Sequence, residues 1–246
     1  MRVLKITAEG LTTSFRYPHF MIGVQPTYEM PPPATLYGHI ASALGYWFNP
    51  QGVRFAVHFT YRAKQSDIET TYLLKAARGK LPSARIYPKV LEGNPNPLKR
   101  ELLFFPRLVL YINRPDWLDA FRHPRYTVAL GRSQDLFTYR AVEIVELQPT
   151  RHAYLEHTLL PYDYAKRTAA GQSVLMPAWI DPRRRFPIFQ HYVVLHRRVH
   201  SRDFLHWPHE PDPELWADPT EPVIRNDPLG IVWHSWRSPQ DEGYAH

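Results

Sequence analysis

A short polar turn between two hydrophobic segments carries side chains suited to nucleic-acid chemistry. It reads Gly131-Arg-Ser-Gln-Asp135. Arg132, Ser133 and Gln134 offer hydrogen-bond donors of the kind that bind phosphate oxygens and base edges. The alternative interpretation is a plain structural turn in which Asp135 caps the chain. The residue types indicate a nucleic-acid contact, and both interpretations stay open on the sequence alone.

A second segment, Gln25–Gly38, combines clustered prolines with a predicted helix start. The prolines at 31–33 fix an extended lead into the helix, because their rings restrict the backbone. The first N–H groups of the helix lack partners within it and can bind a phosphate or a packed neighbour. A rigid helix entry without any ligand is the alternative.

Charge is distributed unevenly along the 246 residues. The formal net charge is +7, yet residues 1–207 sum to +13 and residues 208–246 sum to −6. The densest basic stretch is 75–100, with seven Lys or Arg and one Glu. Arginine outnumbers lysine 23 to 7; a GC-rich genome is an alternative source of that ratio but does not explain the clustering. An anionic partner fits the pattern, since arginines bind phosphates and stack on bases.

The chain lacks the residues and motifs that several enzyme classes require. Cysteine is absent, which excludes thiol nucleophiles, disulfides, iron–sulfur clusters and Cys-ligated zinc. No HExxH, GxSxG, P-loop or GxGxxG motif occurs. His191, His196 and His200 invite a metal interpretation, but their surroundings are typical of a strand, where such spacings do not converge. No cofactor and no metal is predicted. Metal-independent RNA cleavage stays possible, since it needs only an acid, a base and a positioned 2′-hydroxyl.

The order of predicted elements indicates how these residues are positioned. The elements are strand 1–8, helix 34–45, strand 54–61, an irregular excursion over 75–100, edge strand 102–112 interrupted by Pro106, helix 116–121, and strands 126–130 and 140–147. This βαββαβ order is the signature of an α+β domain of the ferredoxin-like or RRM-like kind. The sequence therefore predicts such a domain over residues 1–150.

The pattern loosens after residue 150. Strands are predicted over 151–160 and 188–199, within a β-rich extension that covers 151–246. Its acidic, Pro-rich tail contains four tryptophans between 207 and 236, which suggests that the tail docks on some surface. No apolar run reaches the ~18 residues of a membrane span and no signal peptide is recognisable, so a cytoplasmic protein is expected.

The two segments described first, together with others, resemble the Cas Five family, the RAMP-type subunit of CRISPR Cascade complexes. The resemblance covers residues 1–150 and is strongest for the type I-B branch. It rests on the opening strand, Phe15-Arg16, the Pro-rich lead into Thr35-Leu-Tyr-Gly38, Ala41-Ser-Ala-Leu-Gly45, and Leu130-Gly-Arg-Ser-Gln-Asp-Leu136.

The resemblance implies a ferredoxin-like core with a long β-hairpin thumb, which the sequence places at about 75–100. It implies a non-catalytic subunit that grips the five-prime handle of the CRISPR RNA, contacts the backbone and large subunits, and meets target DNA only indirectly. In the type I-C branch the related subunit is a metal-independent endoribonuclease that processes precursor CRISPR RNA, which is the alternative here. A generic RRM-like RNA chaperone is a third possibility, although the RRM aromatic motif is absent.

Eleven residues make up the RNA-binding prediction under this resemblance. Phosphate contacts are expected from Arg16, Arg78, Lys80, Arg85, Lys89 and Arg132, base-edge and 2′-hydroxyl contacts from Gln25, Ser133 and Gln134, and base stacking from Tyr28 and Tyr37 unless these pack in the core. A second basic run, Arg183-Arg-Arg185, either faces nucleic acid or forms a solvated surface.

Overall fold

The computed structural model describes residues 1–20, 23–83, 86–87, 89, 91–168, 170–181, 186–205 and 214–236. Two α-helices occur in these residues, α1 (Pro33–Leu44) and α2 (Leu118–Arg122). The strands are, in chain order, β1 (Arg2–Gly10), β2 (Thr12–Thr13), β3 (Phe15–Arg16), β4 (Val24–Gln25), β5 (Thr27–Tyr28), β6 (Arg54–Thr60), β7 (Ala63–Ala76), β8 (Leu91–Phe104), β9 (Arg107–Ile112), β10 (Phe137–Glu146), β11 (Gln148–Thr150), β12 (Tyr154–Leu155), β13 (Thr158–Pro161), β14 (Gln172–Ile180), β15 (Pro187–Leu195), β16 (Val199–His200), β17 (Leu215–Ala217), β18 (Gly230–Ile231) and β19 (His234–Ser235). The predicted α+β class is confirmed.

Eight strands form the main sheet, in the order β10-β1-β9-β6-β13-β15-β14, with β19 also paired to β6. The strands β1, β6, β9 and β10 carry the βαββαβ order that the sequence predicts, with α1 after the first and α2 after the third. They lie in the spatial order fourth-first-third-second, and each neighbouring pair is antiparallel. The strand β1 therefore sits inside the sheet and is paired on both edges.

The helix α1 spans Pro33–Leu44, where the sequence predicts 34–45. Proline is favourable in the first turn because the missing N–H would have no partner there. Leu36 and Ile40 are fully buried on one face. The helix ends at Gly45, whose φ of 83° is left-handed and whose N–H donates to the carbonyl of Ala41, as a glycine terminator does.

Two predicted strands differ from the structure. The segment 102–112 is divided between β8 and β9 around Pro106, and β9 is an interior strand between β1 and β6, so the edge-strand prediction is wrong. Pro106 is tolerated because it lies between the strands, where its carbonyl accepts from Gly10 N–H. The segment 126–130 forms only a single bridge, between Ala129 and Leu136.

The excursion predicted over 75–100 is part of a longer antiparallel hairpin. Its strands β7 and β8 have fourteen residues each and pair from Ala63 with Phe104 to Ala76 with Leu91. The strand β7 starts at Ala63, twelve residues before residue 75, where the sequence places the start of the excursion. Residues 64–76 are almost all exposed on both faces, so they show no alternation of apolar and polar residues that could predict a strand.

The C-terminal half continues the same sheet. Thr158 of β13 pairs with His58 of β6, and its Oγ1 donates to the carbonyl of Val57 at 2.7 Å. One hydrophobic cluster contains Leu4 and Phe59 as well as Leu159 and other residues of the second half. The predicted boundary at residue 150 therefore lies within a continuous sheet and core.

The described part of the acidic tail, residues 214–236, packs on the body. Trp236 stacks on Phe55 with ring centroids 4.3 Å apart and donates its indole N–H to the carbonyl of Pro33 at 2.9 Å. Ile231 joins a cluster with Val3 on the sheet face that points away from α1. Trp207 lies outside the described residues. The tail thus packs on both sides of the sheet, with Trp236 on the α1 side and Ile231 on the other.

A buried ion pair joins the tail to β1. Lys5 Nζ donates to Asp218 Oδ2 at 2.7 Å and to Glu221 Oε1 at 2.7 Å, and the Asp218 side chain is fully buried. Tyr111 donates its hydroxyl to the same Asp218 oxygen at 2.8 Å. Burial alone would raise the pKa of Asp218, but the hydrogen bonds from Lys5, Thr220 and Tyr111 outweigh it and hold that pKa below its usual range.

We expect Asp218→Asn to destabilise the protein by up to about 3–5 kcal/mol, because it removes the fully buried carboxylate and leaves the Lys5 ammonium with only Glu221, whose side chain is 27% exposed, as a charged partner. Asp116→Asn is the matched control. Asp116 pairs with Arg114 on the surface at 2.5 Å, so its loss should cost at most about 1 kcal/mol. Chemical denaturation at neutral pH measures both free energies of unfolding.

The pH dependence of the same pair has a defined sign. Since the folded-state pKa of Asp218 is depressed, its contribution is present above the carboxyl's unfolded pKa of about 4 and is lost as pH falls below it. The gap in stability between the wild type and Asp218→Asn should therefore narrow in acid. Equal stability of the two proteins at neutral pH would contradict the buried pair.

Candidate nucleic-acid interface

One end of the main sheet gathers the elements that carry the predicted site. Because neighbouring strands are antiparallel, β1 and β6 end there and β9 and β10 begin there. The hairpin of β7 and β8 leaves the sheet at this end. The turn at 131–135 precedes β10 at the same end.

The hairpin has an anchored half and a free half. Near the sheet, β2 and β4 pair with β8, the latter at Lys99 and Arg100. Farther out, residues 70–76 and 93–97 are exposed. Seven strand residues span roughly 20 Å. The hairpin therefore projects by about that distance beyond the body.

The turn at 131–135 is built around a buried carboxylate. Asp135 accepts from the backbone N–H of Arg132 at 3.1 Å and from its guanidinium at 2.9 and 2.7 Å. Gly131 has a φ of 97°, and a Cβ there would lie 2.4 Å from Thr13 Oγ1. Thr13 itself donates to the carbonyl of Leu130 at 2.6 Å. Asp135 does cap the turn, and Arg132 uses two guanidinium donors for this structural role.

Glu69 of the hairpin bridges two arginines beside this turn. Its carboxylate pairs with Arg100 Nε and lies 3.7 Å from Arg132 Nη1. Gln134 Nε2 donates to it at 3.4 Å. Sequence reasoning missed Glu69 and Arg100, since 31 residues separate them and only the hairpin register brings them together. Two guanidiniums around one carboxylate are also the arrangement that a phosphate group prefers.

The predicted RNA-binding residues fall into separate groups. Arg132, Ser133 and Gln134 lie together at the base of the hairpin, and the latter two are exposed. Arg78, Lys80 and Lys89 lie in the connection at its far end, and Arg16 is exposed on β3 near the sheet. Four predicted basic residues lie outside the described residues: Arg85, Arg183, Arg184 and Arg185.

Three of the residues predicted to contact RNA have buried side chains instead. Tyr28 is 1% exposed, stacks on Tyr17 and donates its hydroxyl to the carbonyl of Leu175. Tyr37 is 4% exposed and donates to the carbonyl of Phe48 at 2.7 Å. Neither ring offers a free face for a base. Gln25 is 3% exposed, and its Oε1 has no hydrogen-bond partner among the described residues.

A second polar cluster surrounds Glu29 beside the hairpin. Tyr61 donates its hydroxyl to Glu29 at 2.6 Å, and Lys64 Nζ donates to the other carboxylate oxygen at 2.6 Å. His196 Nε2 lies 3.2 Å from Glu29 Oε2. Glu29, Lys64 and His196 line a cleft together with apolar side chains that include Val174 and Met176.

The protonation states in this cluster differ from one residue to the next. Burial lowers the pKa of His196, against the attraction of Glu29, and this favours the neutral imidazole. Burial would raise the pKa of Glu29, but the hydrogen bonds from Lys64 and Tyr61 outweigh it, and Glu29 is a carboxylate. The hydrogen bond to Glu29 raises the pKa of Lys64. A neutral imidazole next to an ammonium is a combination that can take up a proton and stabilise an anion.

The histidines singled out in the sequence have separate partners. His191 packs against Tyr162 and His200 Nδ1 lies 2.9 Å from Asp227 Oδ2, whereas His196 faces Glu29. In the part of the chain that is described, no group of three or more His, Asp or Glu side chains could hold a metal ion. None of the helices described there is long and apolar enough to cross a membrane.

Comparison with known proteins finds similarity in structure only. No family model and no curated protein matches the sequence. A chain of a CRISPR RNA-guided surveillance complex superposes with a TM-score of 0.52 and 17% identity, covering 81% of this chain and 92% of that one. A CRISPR protein from Archaeoglobus fulgidus gives a TM-score of 0.45 with 9% identity, covering 97% and 100% of the two chains. A chain of the type III-B Cmr-beta complex bound to cognate target RNA and AMPPnP gives 0.46 with 11% identity, covering 82% and 86%.

The first of these likenesses shows that this chain shares a fold with a protein of a CRISPR surveillance complex. The shared fold extends over nearly the whole of that protein, and the identity is too low to carry over individual residues.

We expect Glu69→Gln to raise the affinity for single-stranded RNA about two- to fivefold. The change removes the carboxylate that competes with phosphate for Arg100 and Arg132, and a partly exposed ion pair is worth about 0.5–1 kcal/mol. Fluorescence anisotropy with a labelled RNA measures the dissociation constants.

Glu143→Gln is the control, because Glu143 is an exposed residue of β10 away from the hairpin. It changes the net charge by the same amount. An equal gain from Glu143→Gln would show that only total charge matters and would contradict a specific role for Glu69.

Proposed function

We propose that this chain is a non-catalytic RNA-binding subunit of a type I CRISPR effector complex, a Cas Five-type protein that grips the five-prime handle of the CRISPR RNA. The observation that carries the proposal is the fold shared with 92% of a chain from an RNA-guided surveillance complex. The sequence motifs at Thr35–Gly38 and Gly131–Asp135 add support through their resemblance to the Cas Five family, and the type I-B assignment rests on that resemblance alone.

The strand arrangement supports a ferredoxin-like RAMP core. The order fourth-first-third-second of β10, β1, β9 and β6, with a helix after the first and third strands, is the arrangement of that fold. The hairpin at 63–104 corresponds to the thumb that the resemblance implies. It is longer than the segment expected from the sequence and begins earlier.

The distribution of charge supports an RNA partner. Arg78 and Lys80 are exposed at the far end of the hairpin, and Ser133 and Gln134 are exposed at its base. A single RNA strand passing along the hairpin could contact both groups, with phosphates held by the basic residues. Partner subunits have exposed apolar side chains available on the outer hairpin, including Tyr72 and Leu74. These surfaces suit the backbone and large subunits, with target DNA contacted only through the assembled complex.

The purified protein should bind handle RNA with a steep dependence on salt. If about five cations contact phosphates, the slope of log K against log salt concentration should be about −3.5 for a single strand. Arg78→Ala and Lys80→Ala should each make the slope less negative by about 0.7, because each removes one phosphate contact. Titrations at several salt concentrations give these slopes.

Arg114→Ala is the matched control, because Arg114 is paired with Asp116 at the opposite end of β9. Its slope should equal that of the wild type. Binding that does not respond to salt would rule out the proposed phosphate contacts. Co-purification from the native host, with sequencing of bound RNA and identification of bound proteins, tests the partners directly.

A metal-independent endoribonuclease is the second candidate, and the cluster around Glu29 favours it. Neutral His196 could accept the proton of a 2′-hydroxyl as its oxygen attacks the phosphorus, and the Tyr61 hydroxyl could protonate the 5′-oxygen as its bond to phosphorus breaks. Lys64 could stabilise the developing charge on the phosphate. Both groups lie beside the same carboxylate, His196 Nε2 at 3.2 Å and Lys64 Nζ at 2.6 Å. Glu29 also occupies the place where a phosphate would bind, which is why binding without cleavage remains the first proposal.

Incubation with repeat RNA in EDTA separates the two candidates. We expect the RNA to remain intact over hours, as a non-catalytic subunit requires. Cleavage at one site that His196→Gln and Tyr61→Phe both abolish would overturn the non-catalytic proposal. Cleavage that persists in both variants would indicate a contaminating nuclease.

A further inference from the structure

A groove at the hairpin base has no role in the contacts proposed so far. Four junctions of the chain line it, where β1 ends, β6 leads into β7, β8 leads into β9, and the turn enters β10. Its lining includes Leu11, Arg62, Phe105, Leu136 and Arg140. Leu136 ends the Leu130–Leu136 motif, but none of these residues was predicted to bind RNA from the sequence.

Phe105 is held in an unusual backbone conformation at the centre of this groove. Its φ is 52°, in the left-handed region that bulky residues rarely adopt. The backbone N–H of Phe105 donates to the carbonyl of Leu11 at 2.8 Å, and Arg62 N–H donates to the carbonyl of Phe104 at 2.9 Å. These bonds fix the strained backbone so that the ring is 51% exposed. Strain that points a large apolar ring into solvent, without burying it, is typical of a binding position.

Three arginines line the groove together with the exposed ring. The guanidinium of Arg62 lies 5.2 Å from the ring centroid of Phe105. Arg107 and Arg140 are both more than half exposed, and a single acid, Glu9, pairs with them at 3.7 and 2.8 Å. The groove therefore combines an aromatic platform with a net positive rim.

We propose that this groove holds one unpaired nucleotide of a single-stranded RNA. The base stacks on Phe105 and Arg62, and the adjacent phosphates lie against Arg107 and Arg140. Aromatic rings flanked by arginines bind unpaired bases of any sequence, because every base has a stacking face. The proposal rests on the proposed RNA-binding function and adds a site to it.

The charges on the rim favour RNA over a protein partner as the occupant. A protein docked here would bury Arg62, Arg107 and Arg140 with only Glu9 to pair them, and unpaired buried charge opposes binding. An RNA strand supplies its own anions at the spacing of its phosphates.

The test measures affinity of the full chain for two fluorescent probes, an oligouridylate and an abasic ribose-phosphate oligomer of equal length. Phe105→Gly should weaken binding of oligouridylate about 5- to 150-fold, the range for loss of one base–aromatic stack, and leave binding of the abasic strand unchanged. Glycine suits a left-handed φ, so this variant should melt no lower than the wild type. Phe105→Trp should keep the affinity for oligouridylate, because it restores a ring.

Tyr126→Ala is the matched control, since Tyr126 is also exposed and has Arg125 5.8 Å from its ring centroid, outside the groove. It should not change either affinity. Wild-type affinity of Phe105→Gly for oligouridylate would overturn the groove site while leaving the proposed function intact. If the wild type binds neither probe and does not bind handle RNA, both the groove site and the proposed RNA-binding function are overturned. If Phe105→Gly loses the same affinity for the oligouridylate and for the abasic oligomer, the change acts on the structure of the site. That result would also overturn base stacking on Phe105.

Discussion

A lysine inside the central sheet constrains the rest of the molecule. Lys5 lies on β1, which is paired on both edges, and its side chain is 7% exposed. A buried ammonium requires a charged partner, because desolvation otherwise outweighs its favourable interactions. Its charged partners are Asp218 and Glu221, 213 and 216 residues further along the chain. The acidic tail is therefore an internal part of the fold over its described residues, and the ends of the chain depend on each other.

Both faces of the sheet are covered at β1, so the candidate site lies at one end of the sheet. The helix α1 packs against the face with Leu4 and Ile6, while tail residues such as Ile231 cover the face with Val3 and Tyr111. An RRM-like protein binds bases on the open face of its sheet, and the described residues leave no such face free at β1. The hairpin, the turn at 131–135 and the groove at Phe105 all lie at one end of the sheet, so the proposed RNA contacts fall there and not on a sheet face.

Local patterns in the sequence predicted individual helices and strands. They did not predict which distant residues pair with each other. Helix α1 follows from apolar spacing and its proline start, and β1 follows from alternation. The outer hairpin has polar or exposed residues on both faces, so neither periodicity appears there. Tyr28 and Tyr37 are aromatic residues in a Pro-rich segment, where the sequence cannot distinguish a stacking surface from a core. The ion pairs of Glu69 and Asp218 depend on strand register and tail docking, which no spacing reveals.

The arginines near the hairpin base are paired with carboxylates of the same chain. Arg132 and Arg100 are held by Asp135 and Glu69 before any RNA is present, so their side chains are ordered and partly neutralised. Ordered donors bind a correctly placed phosphate at a lower entropic cost, and the competing carboxylate of Glu69 weakens binding of any anion that cannot replace it. Arg107 and Arg140 share one exposed glutamate at the groove. Under the proposed function, the interface therefore combines a selective clamp with a permissive stacking site. This arrangement suits a strand whose backbone is held firmly at one point and whose neighbouring base is held by its aromatic face.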